Sequence, residues 1–227
     1  MHPLDRPVWA SLTTHHVSLS EGGERARRFA RDVNLFASAR DDSPEAAAAL
    51  VVLVKPEESI FILQVPEIVV PPGLVVVKAA KGVQMVAPRG VVSEEPRGEI
   101  VTLTKADAPE MLALATLTEP GPFLARTPAM GTFVGMWIDG RLAAMAGERM
   151  RFPGHTEVSG VCTHPDFRGR GLARRLSAAV VAGIEARGEQ AFLHAWKTNH
   201  SAISLYERLG FELRAEVNVA VLKRGAA

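Results

Sequence analysis

Apolar positions change their period along this chain, and the changes predict its elements. Over residues 24–40, Ala26, Phe29, Ala30, Val33, Phe36 and Ala37 fall at helical spacing. That pattern predicts an amphipathic helix with Arg25, Arg27, Arg28 and Arg31 largely on its solvated face. Ser43-Pro44 suits the N-cap and first position of a short helix. Runs rich in β-branched and aliphatic residues follow at 50–54, 59–64, 74–77 and 83–87. They are parted by Pro56, Pro66 and Pro71-Pro72-Gly73 and predict four strands. Residues 91–98, with Ser93-Glu94-Glu95-Pro96-Arg97-Gly98, have the composition of a linker.

Beyond the linker the two periods alternate more regularly. A strand is expected over 99–104 and a helix over 106–117, which Glu119-Pro120-Gly121-Pro122 breaks. Strands over 132–138 and 142–148 meet at Asp139-Gly140, a strong hairpin signal, and 156–162 adds a third strand. Leu172, Leu176, Ala179, Val180, Gly183 and Ile184 then mark one face of a helix that Gly188 stops. A strand over 191–196 follows, then a helix carrying Ala202, Leu205, Tyr206 and Leu209, capped by Asn199 or Ser201. Strands over 211–213 and 217–222 close the chain. The second half therefore reads β-α-β-β-β-α-β-α-β-β. This is an α/β (α+β) class, a mixed sheet covered by helices, after a smaller α/β N-terminal half. The expected division is 1–97 and 98–227.

Composition narrows the function classes. The 227 residues are 47% hydrophobic and 22% charged, ample for a core. A net charge of +1 argues against a dedicated nucleic-acid binder. The single cysteine, Cys162, rules out an intramolecular disulfide and fits a reducing compartment. The N-terminal residues lack a signal-peptide layout, and the longest clean apolar run, 46–54, is too short to span a bilayer. The expectation is a soluble cytoplasmic protein that binds neither nucleic acid nor membrane. Its oligomeric state is unreadable from the pattern.

Basicity is instead local. Between the strand 156–162 and the following helix lies Thr163-His164-Pro165-Asp166-Phe167-Arg168-Gly169-Arg170-Gly171-Leu172-Ala173. Strand, short arginine–glycine turn, helix is an anion seat, because a helix N-terminus offers unpaired N–H groups and glycine lets backbone approach closely. A dinucleotide fingerprint would need a third glycine and an acidic residue ending the next strand, which instead ends Trp196-Lys197-Thr198-Asn199. A P-loop would need Lys then Ser or Thr at the helix start, where Leu172-Ala173 stands. What remains is Arg/Gln-x-x-Gly-x-Gly/Ala, present as Arg168 to Ala173.

With His164-Pro165-Asp166 before it and Asn199…Tyr206-Glu207-Arg208-Leu209-Gly210-Phe211 after it, residues 99–223 resemble the GNAT superfamily of acyl-CoA-dependent N-acyltransferases. The wording Glu-Val-Ser-Gly-Val-Cys-Thr-His-Pro further resembles the glycine N-acyltransferase-like branch, in which a GNAT-like half precedes the catalytic one. The resemblance implies that Arg168, Gly169, Arg170, Gly171, Leu172 and Ala173 bind the pyrophosphate of acetyl-CoA. It implies that backbone of Val161, Cys162 and Thr163 pairs with the pantetheine arm, and that Asn199 bonds it too, although Asn199 serves equally well as a helix cap.

An ammonium cannot attack a thioester, so the implied reaction needs a base and then an acid for the leaving thiolate. Glu157 stands at the offset where histone-acetyltransferase members carry their catalytic glutamate, with Glu148 in reserve; a surface glutamate is the alternative for Glu157. Tyr206, the single tyrosine, stands where the family places its acid; a packed helix tyrosine is the alternative. Cys162 has no His–acid pair at useful spacing for covalent catalysis, and His164, His194 and His200 do not form a metal-ligand spacing. The expected reaction is acetyl transfer to a primary amine on a small molecule or peptide. An amino-acid acceptor and a non-catalytic acyl-CoA sensor are the alternatives.

Overall fold

Asp139 and Gly140 both adopt left-handed backbone, with φ of 51° and 71°, so the expected hairpin turn is made. The computed structural model describes residues 2–88, 90 and 99–225. Its first half holds α1 (Pro7–Leu12), β1 (Ser20–Gly22), β2 (Ala26–Phe29), β3 (Ala37–Ala39), α2 (Pro44–Val52), β4 (Ser59–Gln64) and β5 (Leu74–Val86). The second half holds β6 (Val101–Leu103), α3 (Ala108–Thr118), β7 (Phe133–Ile138), β8 (Arg141–Phe152) and β9 (His155–Thr163). It ends with α4 (Leu172–Ala186), β10 (Gln190–Trp196), α5 (His200–Arg208) and β11 (Glu212–Arg224). Among the described residues no helix is long and apolar enough to cross a membrane.

Among the described residues, eight strands form one sheet in the order β4-β11-β5-β10-β9-β8-β7-β6. Every neighbouring pair is antiparallel except β9 and β10, so the sheet is mixed and mostly antiparallel, as expected. Side chains alternate across it. Ala191 and Leu193 of β10 share a core with Leu172, Leu176, Val180 and Ile184 of α4 on one face. Phe192 packs on the other face with Leu4, Val8, Leu12 and Phe29 from the start of the chain. The division at 97/98 does not fall between two sheets: β5 pairs with both β10 and β11, and β4 with β11. The expected linker, residues 91–98, lies outside the described residues.

Three expectations need correction. Residues 24–40 form strands β2 and β3, not a helix. The Asn34 side-chain oxygen accepts the N–H of Leu35 and Phe36 and closes the turn between them. Arg28, placed on a solvated face by the helical reading, is buried and bonds Glu58 at 2.9 Å. The run 50–54 is not a strand but carries α2 to its end, from an N-cap where Ser43 Oγ accepts the Ala46 N–H. The pairs 74–77 with 83–87, and 211–213 with 217–222, are single long strands; β11 absorbs a register shift between Leu213 and Ala215.

Candidate active site

The sheet opens at its one parallel pair. β9 and β10 pair only as far as Phe192↔Glu157. Beyond that point β10 is held by β5, while residues 158–163 have no strand partner on the side away from β8 among the described residues. A cleft of about 420 Å³ enters the gap, at the carboxyl ends of the parallel strands. Ser159, Gly160, Val161, Cys162 and Thr163 line one wall and His194, Ala195 and Trp196 the other. Gly160 is needed here: its φ is +63°, and a Cβ would lie 2.9 Å from the Phe133 ring.

One end of the cleft meets the arginine–glycine turn. Gly169 and Gly171 have φ of +76° and +73°, and nothing lies within 4 Å of a Cβ built on either. Gly171 is the N-cap of α4 and no side chain caps that helix, so its first N–H groups stay open to a ligand. Arg168 and Ala173 line the cleft. Arg141 fixes the approach to the turn by donating to Asp166 at 2.8 Å and to His164 at 2.9 Å. The turn predicted as an anion seat thus lies beside the sheet opening.

Glu157 is not placed as the sequence suggests. It is fully buried and absent from the cleft wall. Arg149 Nε donates to it at 2.8 Å and Nη2 at 2.6 Å, and the Met150 N–H adds a third bond. His194 Nδ1 lies 2.7 Å from its other side. Burial would raise the Glu157 pKa, but the Arg149 charge and hydrogen bonds from Arg149 and His194 outweigh it and hold the value at about 2. A carboxylate so engaged is a poor proton acceptor, which weighs against the expectation that Glu157 is the base. Glu148 is buried away from the cleft as well, bonded by Arg187 at 2.8 Å.

His194, unassigned by sequence, is a member of this network. Gln84 Oε1 accepts from Arg214, so its amide nitrogen donates to Leu4 O and to His194 Nε2 at 3.0 Å. Nε2 is then the acceptor and Nδ1 carries the proton given to Glu157. His194 is held at both ring nitrogens. Its alternation with Phe192 and Trp196 along β10 was the available signal, but periodicity does not reveal which partner waits across the strands.

Three further groups complete the cleft. Tyr206 lines it, and no described residue hydrogen-bonds its hydroxyl; burial, and then the Glu157 charge, push its pKa up to about 12. Asn199 lines it while its Oδ1 caps α5 at the Ala202 N–H. Glu119 is the one carboxylate residue on the wall among the described residues, and its side chain has no ion pair or hydrogen bond there. It sits at the C-cap of α3 in left-handed backbone, φ +48°. Burial pushes the Cys162 thiol up to about 11, against weaker lowering by Thr118 and Met145, so it is no nucleophile at neutral pH.

This architecture recurs in solved structures. One assigned as a GNAT-family acetyltransferase from Novosphingobium aromaticivorans is 46% identical, with a TM-score of 0.93 and 100% of both chains covered. This chain belongs to the GNAT family of acetyltransferases. A GCN5-related N-acetyltransferase from Kribbella flavida shares the fold at 21% identity, with a TM-score of 0.69 and coverage of 100% of this chain and 97% of that one. A GCN5-related N-acetyltransferase-like protein from Streptococcus suis does so at 14% identity and a TM-score of 0.60, covering 96% of this chain and 92% of that one. The family model described as FR47-like protein matches residues 133–220, which run from β7 into β11. No curated protein matches the chain. GNAT acetyltransferases draw their acyl group from acetyl-CoA.

Proposed function

We propose that this protein transfers an acetyl or other short acyl group from acetyl-CoA to a primary amine, by direct attack with both substrates in the cleft. The observation that carries the reading is the parted β9–β10 pair beside an uncapped helix N-terminus. The N–H groups at the start of α4, with Arg168 and Arg170, hold the pyrophosphate. The unpaired edge of β9 at Val161, Cys162 and Thr163 offers main chain to the pantetheine arm as a strand would. Tyr206, protonated at neutral pH and without a protein partner, gives its proton to the departing thiolate. Glu119 takes the proton of the attacking ammonium, directly or through water, because it is the carboxylate residue that the cleft wall offers. Glu157 is a positioning residue that fixes Arg149 and His194.

Thiol release from acetyl-CoA over a set of amines, with calorimetry of acetyl-CoA binding, tests this. Tyr206→Phe and Glu119→Gln should each lower kcat by about 100-fold or more while acetyl-CoA still binds. Unchanged kcat in either variant removes that residue from its role. Binding without release for any amine would instead support an acyl-CoA sensor.

A further inference from the structure

The cleft passes through the sheet and reaches both faces. On the α4–α5 face lie the groups assigned above to the acyl donor. On the opposite face its wall is Phe36, Phe61, Leu63, Val217 and Val219. Leu63 and Val219 are cross-strand partners, and Phe36 meets Phe61 edge-on at 6.0 Å. Phe36, Leu63, Val217 and Val219 share a core with α1, which fixes their face. Three of these five residues come from the first half of the chain. That half therefore builds the far end of the cleft.

The charge there is already balanced. Arg149, whose guanidinium lies 4.8 Å from the Phe36 ring centre, is the one cation on this wall among the described residues and is paired with Glu157. A ligand carboxylate would have to share that guanidinium with a buried Glu157 carboxylate, and like charges at such range repel. His194 has no ring nitrogen left for a ligand, Nδ1 being engaged by Glu157 and Nε2 by Gln84. We infer that the acceptor is a primary amine on an uncharged alkyl or aryl body, not an amino acid with a free carboxylate. The body fills the chamber between the two halves, and Phe61 and Leu63 set its size. This inference rests on the acyl-transfer reading above.

The test is thiol release by the full chain with straight-chain amines from propylamine to hexylamine, 2-phenylethylamine, glycine and phenylalanine. Each methylene taken into an apolar chamber should raise kcat/KM by about fourfold until the chamber is full. 2-Phenylethylamine should exceed phenylalanine, which shares its ring but adds a carboxylate, by at least about tenfold. Phe61→Trp should reduce turnover of the longest amines by a larger factor than that of propylamine; Phe61→Leu, a milder change, should shift the optimum toward longer amines. Calorimetry with acetyl-CoA on the same samples shows that each variant is folded. A flat alkylamine series, or a preference for glycine or phenylalanine, overturns the inference while intact acetyl-CoA binding and thiol release leave the transfer reading standing. Loss of acetyl-CoA binding in the unaltered protein overturns both.

Discussion

Glu157→Gln removes the charge on which the centre of the site is built. The carboxylate is 0% exposed and takes hydrogen bonds from Arg149, Met150 and His194. Its pKa in the fold is about 2 against an ordinary 4.5, burial opposing the shift and Arg149 overcoming it. At about 1.4 kcal/mol per unit, that shift is worth about 3 kcal/mol to the folded state at neutral pH. Removing one partner of a buried ion pair costs about 3–5 kcal/mol, so two independent routes agree. The folded value lies below the unfolded one, so this stability is complete above about pH 5 and fades as pH falls through 4.5 toward 2. Urea unfolding of both proteins at a series of pH values is the assay. The variant should be about 3 kcal/mol less stable at pH 7, with the gap closing in acid. A gap below about 1 kcal/mol at pH 7, or one independent of pH, refutes the reasoning. Kinetics add a second readout: with so low a pKa, Glu157 titrates outside the working range, so the acidic limb of the kcat/KM profile should survive in the variant. Its disappearance would return Glu157 to the role of base.

Other predictions concern the donor end and the strand beneath it. Gly171→Val forces a β-branched residue into φ +73° at the open helix start, at a cost of about 1–2 kcal/mol. It should raise KM for acetyl-CoA about tenfold or more with a smaller effect on kcat; an unaltered KM would remove the turn from donor binding. The Cys162 thiol, 7% exposed and pushed up to about 11, should resist an aromatic disulfide reagent at pH 7.5 until the protein unfolds, and Cys162→Ala should keep its kcat. Rapid modification of the native protein would contradict that burial. With the Tyr206 hydroxyl at about 12, wild type should show no basic limb that Tyr206→Phe abolishes below about pH 10.

The second half was legible because its elements carry local signals. Asp139-Gly140, the arginine–glycine turn and the face Leu172–Leu176–Val180–Ile184 each declare a turn or helix within a few residues. Over 24–40 the signal misleads, because Phe29, Val33 and Phe36 are core residues at helical spacing although Asn34 closes a strand turn among them. The arginine–glycine end of the cleft was equally local: strand, turn and helix N-terminus are contiguous in sequence. The rest of the cleft was not. Phe36, Phe61, Glu119, Arg149 and His194 are scattered over about 160 residues and meet only through tertiary packing. Glu157 shows the limit plainly: its position on the strand could be read, but Arg149 and His194, which decide its ionisation, could not.

What keeps the sheet open follows from the same contacts. Parted strands leave N–H and C=O groups without partners, which a fold avoids unless other interactions hold the gap. Here the β8–β9 ladder carries two bulges, one on each strand at successive registers. β9 carries an extra residue near Gly160, between the Met145 and Gly147 registers, and β8 carries one at Arg149 and Met150, opposite Glu157. The second bulge brings Arg149 and the Met150 N–H onto the Glu157 carboxylate, so the side chain takes up main-chain hydrogen bonding that the ladder has lost. On the far side, β5 pairs with β10 from Gly82 to Val86 and leaves it no need to return to β9. The inserted strand comes from the first half, whose Phe36, Phe61 and Leu63 also wall the far end of the cleft. The opening between β9 and β10 is therefore set by one structural decision, the threading of β5 between β10 and β11.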